Sequence, residues 1–164
     1  MKKVIIIGCP GSGKSTFARA LHEKTGLPLY HLDMMYWNED RTTVPKPVFR
    51  QRLQQVLDAH TWIIDGNYHS TIEQRLQACD TVFFLDYPLD VCLDGALSRR
   101  GKKRSDIPWV EPLDDIDSEF LQFIKNYTSI NRPVVLELLN RYSNKIIHIF
   151  KTRQEADNYL SLIQ

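Results

Sequence analysis

Net charge is almost absent from this sequence. Its 164 residues carry 21 lysines and arginines against 20 aspartates and glutamates, so no whole-molecule field exists to hold a polyanion, and bulk charge gives no support to a nucleic-acid partner. Cysteine is scarce as well. Cys9, Cys79 and Cys92 are odd in number and follow no CxxC spacing; they read as free thiols in a reducing compartment, not as a zinc site. Long hydrophobic runs are missing too: the apolar stretch 4–7 breaks at Gly8, too short for a signal peptide, and no segment is long enough to span a bilayer. A soluble, cytoplasmic protein without membrane association is expected. The length predicts one domain, 1–164, around one core, as a monomer or small homo-oligomer.

What the chain does have is alternation of short apolar runs with helical patterns. Residues 4–7 form a β-branched run ended by glycine, the pattern of a parallel strand buried on both faces. From Lys14 the residues Phe17, Ala18, Ala20 and Leu21 recur at helical spacing until Gly26 and Pro28 stop them. A short strand, 29–32, ends at Asp33, and an aperiodic stretch, 34–44, reads as a functional loop. Pro47 then starts a helix with the stripe Phe49, Leu53, Val56 and Leu57. A strand over 62–64 ends at Asp65, and Ser70 with Glu73 predicts a capping box for the next helix. A fourth strand, 81–85, precedes a helix marked by Leu89, Leu93, Ala96 and Leu97, which runs into the basic cluster 99–104. Residues 101–112 are basic, polar and proline-broken, which predicts an exposed, mobile segment. Asp114, Asp115 and Asp117 are expected to open a long helix carrying Ile116, Phe120, Ile124, Tyr127, Val134, Leu138 and Tyr142, kinked at Pro133. A fifth strand, 145–150, and a helix capped by Thr152 and Glu155 complete the pattern. Strands joined through helices predict a parallel sheet covered on both faces, with ligands at the carboxyl ends of its strands.

The chemistry begins at Gly8, Cys9, Pro10, Gly11, Ser12, Gly13, Lys14 and Ser15, which satisfy GxxxxGK[ST] between a strand and a helix. In that context the glycines let backbone N–H groups surround the phosphates of ATP and the helix N-terminus adds its positive end. Lys14 reaches the β- and γ-phosphates, Ser15 offers its hydroxyl to Mg²⁺, and Thr16 extends the nucleotide-binding run. Asp65 and Asp86 both follow buried strands and compete to hold Mg²⁺ through water. Asp65 is favoured, because Asp86 before Pro88 is equally well explained as a helix cap. Asp33 falls at the same sheet edge, where a carboxylate can take the proton from an attacking hydroxyl or simply cap the turn at Met34. Cys9 sits where phosphate-binding amides can depress a thiol pKa, or merely packs. His31, His69, Trp37, Asn67 and Tyr68 flank the same region.

The glycine loop, the Leu32-Asp33 strand end, the run WIIDGNY from Trp62 to Tyr68, the strand end Phe84-Leu85-Asp86-Tyr87-Pro88 and the arginines after the next helix resemble the adenylate-kinase-like P-loop kinases. Within them they are most similar to the bacterial DNA topology modulation proteins of FlaR type, over nearly the whole chain. The resemblance implies a three-layer P-loop NTPase fold with a five-stranded parallel sheet in the order 2-3-1-4-5, and a small lid at about 101–112. It implies Asp65 beside the P-loop, and Arg100 and Arg104 as the lid arginines that pack on adenine and reach phosphate; Arg153 joins the nucleotide-binding set. Its activity would be transfer of the γ-phosphoryl group from Mg-ATP to a small acceptor such as a nucleotide. The alternative is a regulatory protein acting on DNA through the 99–104 cluster. Where adenylate kinases carry further arginines after the lid, this sequence offers Lys125, Arg132 and Arg141.

Overall fold

Alternating side chains along three central strands decide where the helices pack. The computed structural model describes residues 1–113 and 118–163; Asp114, Asp115, Ile116 and Asp117, expected to open the long helix, lie outside them. Strand β1 (Lys3–Gly8) pairs in parallel with β3 (Trp62–Asp65) on one side and β4 (Thr81–Leu85) on the other. Strand β2 (Leu29–His31) lies outside β3, and β5 (Ile146–Phe150) outside β4. The order β2-β3-β1-β4-β5 is that of the three-layer P-loop fold.

Ile5, Ile7, Trp62, Ile64, Val82 and Phe84 point to one face and meet helices α3 (Lys46–Asp58) and α4 (His69–Ala78). Val4, Ile6, Ile63, Phe83 and Leu85 point to the other and meet α1 (Lys14–Thr25), α5 (Leu89–Ser98) and α7 (Arg153–Leu162). Each such aliphatic side chain, fully buried, contributes roughly 1.5–3 kcal/mol, so the sheet is the rigid part on which a site can be held. Helix α6 (Ser118–Arg141) serves both faces: Ile124 and Tyr127 join the second cluster, Val135, Leu138 and Leu139 the first. It continues through Pro133.

Three local expectations change. The stretch after β2 opens with a short helix, α2 (Leu32–Tyr36), closed by the bond from Trp37 N–H to the Asp33 carbonyl at 3.0 Å. It is followed by a bridge between Trp37 and Thr43. The Ser70–Glu73 capping box does not form; α4 starts two residues earlier, behind Tyr68 as its N-cap, which sits in the left-handed region at φ 38°. Arg75, described below, holds the carbonyls of the preceding loop, that of Tyr68 included. Residues 101–112 are not simply exposed, because Asp106 and Ile107 are buried. The Thr152 cap is present, with Glu155 N–H donating to Thr152 Oγ1 at 3.2 Å. Among the described residues no helix is long and apolar enough to cross a membrane.

Candidate active site

The glycine loop leaves β1 and enters α1 through Gly13 at φ 93°, a conformation that glycine adopts without strain. Its other wall is a residue the sequence reading missed. A Cβ on Gly11 would lie 1.9 Å from the Cys92 carbonyl oxygen and one on Gly95 2.1 Å from the Gly11 carbonyl oxygen, so α5 packs backbone to backbone on the loop. The available signal was a glycine inside a helix, where it costs about 1 kcal/mol relative to alanine and calls for a packing reason.

Each residue after Ile64 in the WIIDGNY run has a distinct task. Asp65 is buried, and its Oδ2 accepts from Ser15 Oγ at 2.6 Å and lies 2.8 Å from His31 Nδ1. Asp65 Oδ1 has no partner among the described residues. Gly66 leaves no room for a side chain, since a Cβ would lie 2.9 Å from Leu32 Cβ. Asn67 clamps the start of the glycine loop, accepting from Gly8 N–H at 3.1 Å and donating to the Gly8 carbonyl at 2.7 Å. Tyr68 donates its hydroxyl hydrogen to Asp33 Oδ1 at 2.6 Å. The whole run is tied down by Arg75, fully buried, which donates to the carbonyls of Gly66 (2.8 Å), Asn67 and Tyr68 (3.4 Å). Burial lowers the Arg75 pKa to about 10, which still leaves it charged at neutral pH. Nothing in the sequence marks Arg75, because it lies on the apolar side of α4 and serves a loop seven to nine residues behind it.

Three spaces open around these groups. A cavity of about 460 Å³ is lined by the loop from Gly11 to Thr16 together with Arg99, Arg104, Asp106 and Arg153. A second, of about 430 Å³, is lined by Pro10, Lys14, Ser15, Asp33, Asp65 and Tyr68 among others. Lys14 and Ser15 border both. The third, of about 700 Å³, is lined by Asp33 and, among others, Arg100. Arg100 lines the third space, whereas Arg99, which the sequence reading did not select, borders all three. Arg153, which lines the first cavity, has its Nη2 3.5 Å from the Val91 carbonyl oxygen.

Electrostatics separate the groups. Desolvation holds the Lys14 ammonium below the ordinary lysine value, against the pull of the Asp65 charge. Burial raises the Asp33 pKa, and the Tyr68 hydrogen bond opposes it. Tyr68 is pushed up by burial and by Asp33, so it remains a donor. The Cys9 thiol is raised by its hydrogen bond to Cys92 and by burial, the opposite of an activated thiol. Over the first cavity, Arg104 and Asp106 form an ion pair, and Arg99 and Arg104 each lie 3.0 Å from Glu111 Oε2. Burial would raise Asp106, but the Arg104 hydrogen bond and charge win and hold it at about 2. Segment 101–112 is thus folded down, its Trp109 ring edge-on to Trp37 at 5.3 Å.

The residues present fit Mg-ATP. A Cβ on Gly13 would meet open space, the loop borders a cavity of about 460 Å³, and Asp65 Oδ1, without a partner among the described residues, offers an acceptor for metal-bound water.

The fold is the three-layer P-loop fold, and comparison with known proteins refines this. No family model matches the chain. Solved structures of shikimate kinases match along nearly its whole length. The enzyme from Acinetobacter baumannii in complex with shikimate covers 99% of this chain and 93% of its own, with a TM-score of 0.61 and 18% identity. That from Bacteroides thetaiotaomicron covers 96% and 93%, with a TM-score of 0.59 and 19% identity. Among curated proteins, adenylate kinases of Thermotoga neapolitana and Thermotoga maritima are 26% and 27% identical over 110 residues, 63% of this chain. The chain spans about half the length of those curated relatives, 49%. These findings overturn the resemblance to the DNA topology modulation proteins: the fold is of shikimate-kinase type, and the likeness to adenylate kinase is partial.

Proposed function

We propose that this protein is a small-molecule kinase, transferring the γ-phosphoryl group of Mg-ATP to a hydroxyl group of a small acceptor. The observation that carries the reading is the shared space of about 430 Å³ in which Lys14 and Ser15 face Asp33 and Asp65. Donor and acceptor ends would meet there, and phosphoryl transfer needs little beyond positioning and charge.

In this reading the backbone of Gly8 to Gly13 and the start of α1 bind the phosphates, and Lys14 stabilises charge on the β- and γ-oxygens. Ser15 and, through water, Asp65 would hold Mg²⁺, which supplies charge neutralisation when bound. His31 fixes the orientation of the Asp65 carboxylate. Asp33 takes the proton from the attacking hydroxyl, its raised pKa bringing it closer to the operating pH of a general base. Segment 101–112 acts as the lid, with Arg99 and Arg104 bringing positive charge over the transferring group. Arg153 borders the nucleoside end. The chain acts as one domain in the cytoplasm.

The test is a coupled ADP-release assay over hydroxylated small molecules, followed by Asp33→Asn on the acceptor found. Transfer should fall by roughly two or more orders of magnitude, the scale of a lost general base, with ATP binding retained. Transfer at the parent rate would mean that the acceptor end is misassigned.

A further inference from the structure

The cavity of about 460 Å³ at the phosphate loop is lined by five cationic side chains and by two carboxylates, Asp106 and Asp157. The carboxylates differ. Asp157 is exposed on α7. Asp106 is 2% exposed, although it belongs to a basic, polar segment in which an aspartate could stay in water. Burying a carboxylate is costly unless cations and donors replace its hydration.

The groups that replace it are ones that line the phosphate cavity. Arg104 pairs with Asp106 through Nη2, and Arg19, on α1 one turn beyond Ser15, comes within 3.5 Å of it. Arg19 also donates from Nη1 to Ser105 Oγ at 3.4 Å and from Nη2 to Thr16 Oγ1 at 3.3 Å. It thereby ties the segment to the start of α1, where the glycine loop ends. Burial would raise the Asp106 pKa; the Arg104 bond and charge overcome that and the Ser15 hydroxyl adds to them, so the group is ionised. Arg104 has a second carboxylate, Glu111, 3.0 Å from its Nη1, which can hold it over the cavity when Asp106 leaves.

An ionised carboxylate among the donors of a phosphate site either shares them with the phosphates, at the cost of like-charge repulsion, or gives way. We propose that Asp106 is a built-in stand-in for phosphate: a latch that holds segment 101–112 down on the loop through Arg104 and Arg19, and that incoming phosphates must displace. The contact that folds the segment down therefore subtracts from nucleotide affinity, and Arg104 passes from Asp106 to the phosphates. The latch rests on the reading of the glycine loop as a phosphate site.

Calorimetry on the full chain in magnesium buffer tests it with three probes: inorganic pyrophosphate, ADP and adenosine. Asp106→Asn keeps the shape and removes the charge. It should bind pyrophosphate and ADP roughly tenfold tighter or more, the worth of a charged hydrogen bond, with adenosine binding unchanged. Asp106→Ser should repeat the gain, and misfolding cannot mimic it. Asp157→Asn removes the other carboxylate of the cavity and should gain roughly twofold at most, as an exposed, screened charge does. Hydrogen exchange across 101–112, measured without ligand, should be faster in Asp106→Asn than in the parent. Pyrophosphate and ADP affinities at or below the parent's in both Asp106 variants overturn the latch, as does exchange at the parent's rate. An equal gain in Asp157→Asn overturns it too, because the effect is then one of general charge. If parent and variants alike bind neither pyrophosphate nor ADP, the phosphate reading falls and the latch with it; parent-like binding in the variants removes the latch alone.

Discussion

The ends of β3 and β4 make a natural pair. Both strands flank β1, both are buried, and each leads into a buried aspartate, Asp65 at the end of β3 and Asp86 just beyond β4. Their surroundings differ. Asp65 touches only the Ser15 hydroxyl and His31 and keeps one oxygen without a partner among the described residues. Asp86 is saturated: Arg132 donates to it from Nε at 2.7 Å and from Nη2 at 2.8 Å, and Lys151 pairs with it as well. Burial alone would raise the Asp86 pKa, yet these cations pull it below the ordinary value. A carboxylate already held by two cations is a structural clasp between β4, α6 and the chain after β5. Asp65 instead lines the space beside Lys14 and Ser15 and keeps a buried oxygen without a partner among the described residues.

The largest expected effect that would break this comparison comes from Asp65→Asn. Phosphoryl transfer should fall by roughly two orders of magnitude or more, the scale of a lost preorganised charge contact, with the melting temperature nearly unchanged. An Asp65→Asn variant that kept full turnover would make the two strand ends equivalent after all.

Asp86→Asn should do the reverse, leaving turnover per folded molecule intact and costing about 1–2 kcal/mol of stability, since its partners are partly exposed and screened. The sign with pH follows from the depressed value. Asp86 contributes stability above the ordinary aspartate pKa and loses it as pH falls through its lower folded pKa, so parent and variant should converge in acid. Urea denaturation across pH checks this, and a stability gap that stayed constant into acid would remove the clasp.

The smallest effect concerns Tyr68→Phe, which asks whether an available carboxylate can be tuned without being removed. The Tyr68 hydrogen bond favours ionised Asp33. Its loss should move the acid limb of the kcat/KM profile to higher pH while leaving the alkaline side in place. An unmoved limb would mean that Asp33 is not the group titrating there.

The carboxyl-edge carboxylates also show how far local sequence reaches. The glycine loop was legible because its chemistry is contiguous: strand, glycines, lysine and hydroxyl follow one another, and a parallel sheet aims them at one edge. The strand order was readable only through resemblance, since spacing does not say which strand neighbours β1. Arg99 and Arg100 could not be separated, because adjacent residues of one type differ only in the surroundings that the fold gives each side chain. The folded-down state of 101–112 was hidden for a similar reason. Its polar residues match solvent or one another equally well, and only the packed positions of Glu111, Asp106 and Arg104 join them.

By itself, then, the sequence determined the alternating layers and the phosphate loop, because hydrophobic period and backbone conformation are local properties of consecutive residues. Tertiary structure alone decided that Asp65 keeps an oxygen without a partner among the described residues while Asp86 is held by two cations, that Gly95 carries the loop, and that Arg75 carries the WIIDGNY run. Those outcomes depend on contacts as distant as Asp86 with Arg132 and Lys151 and Gly11 with Gly95. A charge or a glycine acquires its role from the groups that folding brings within a few ångströms, and spacing along the chain does not encode them.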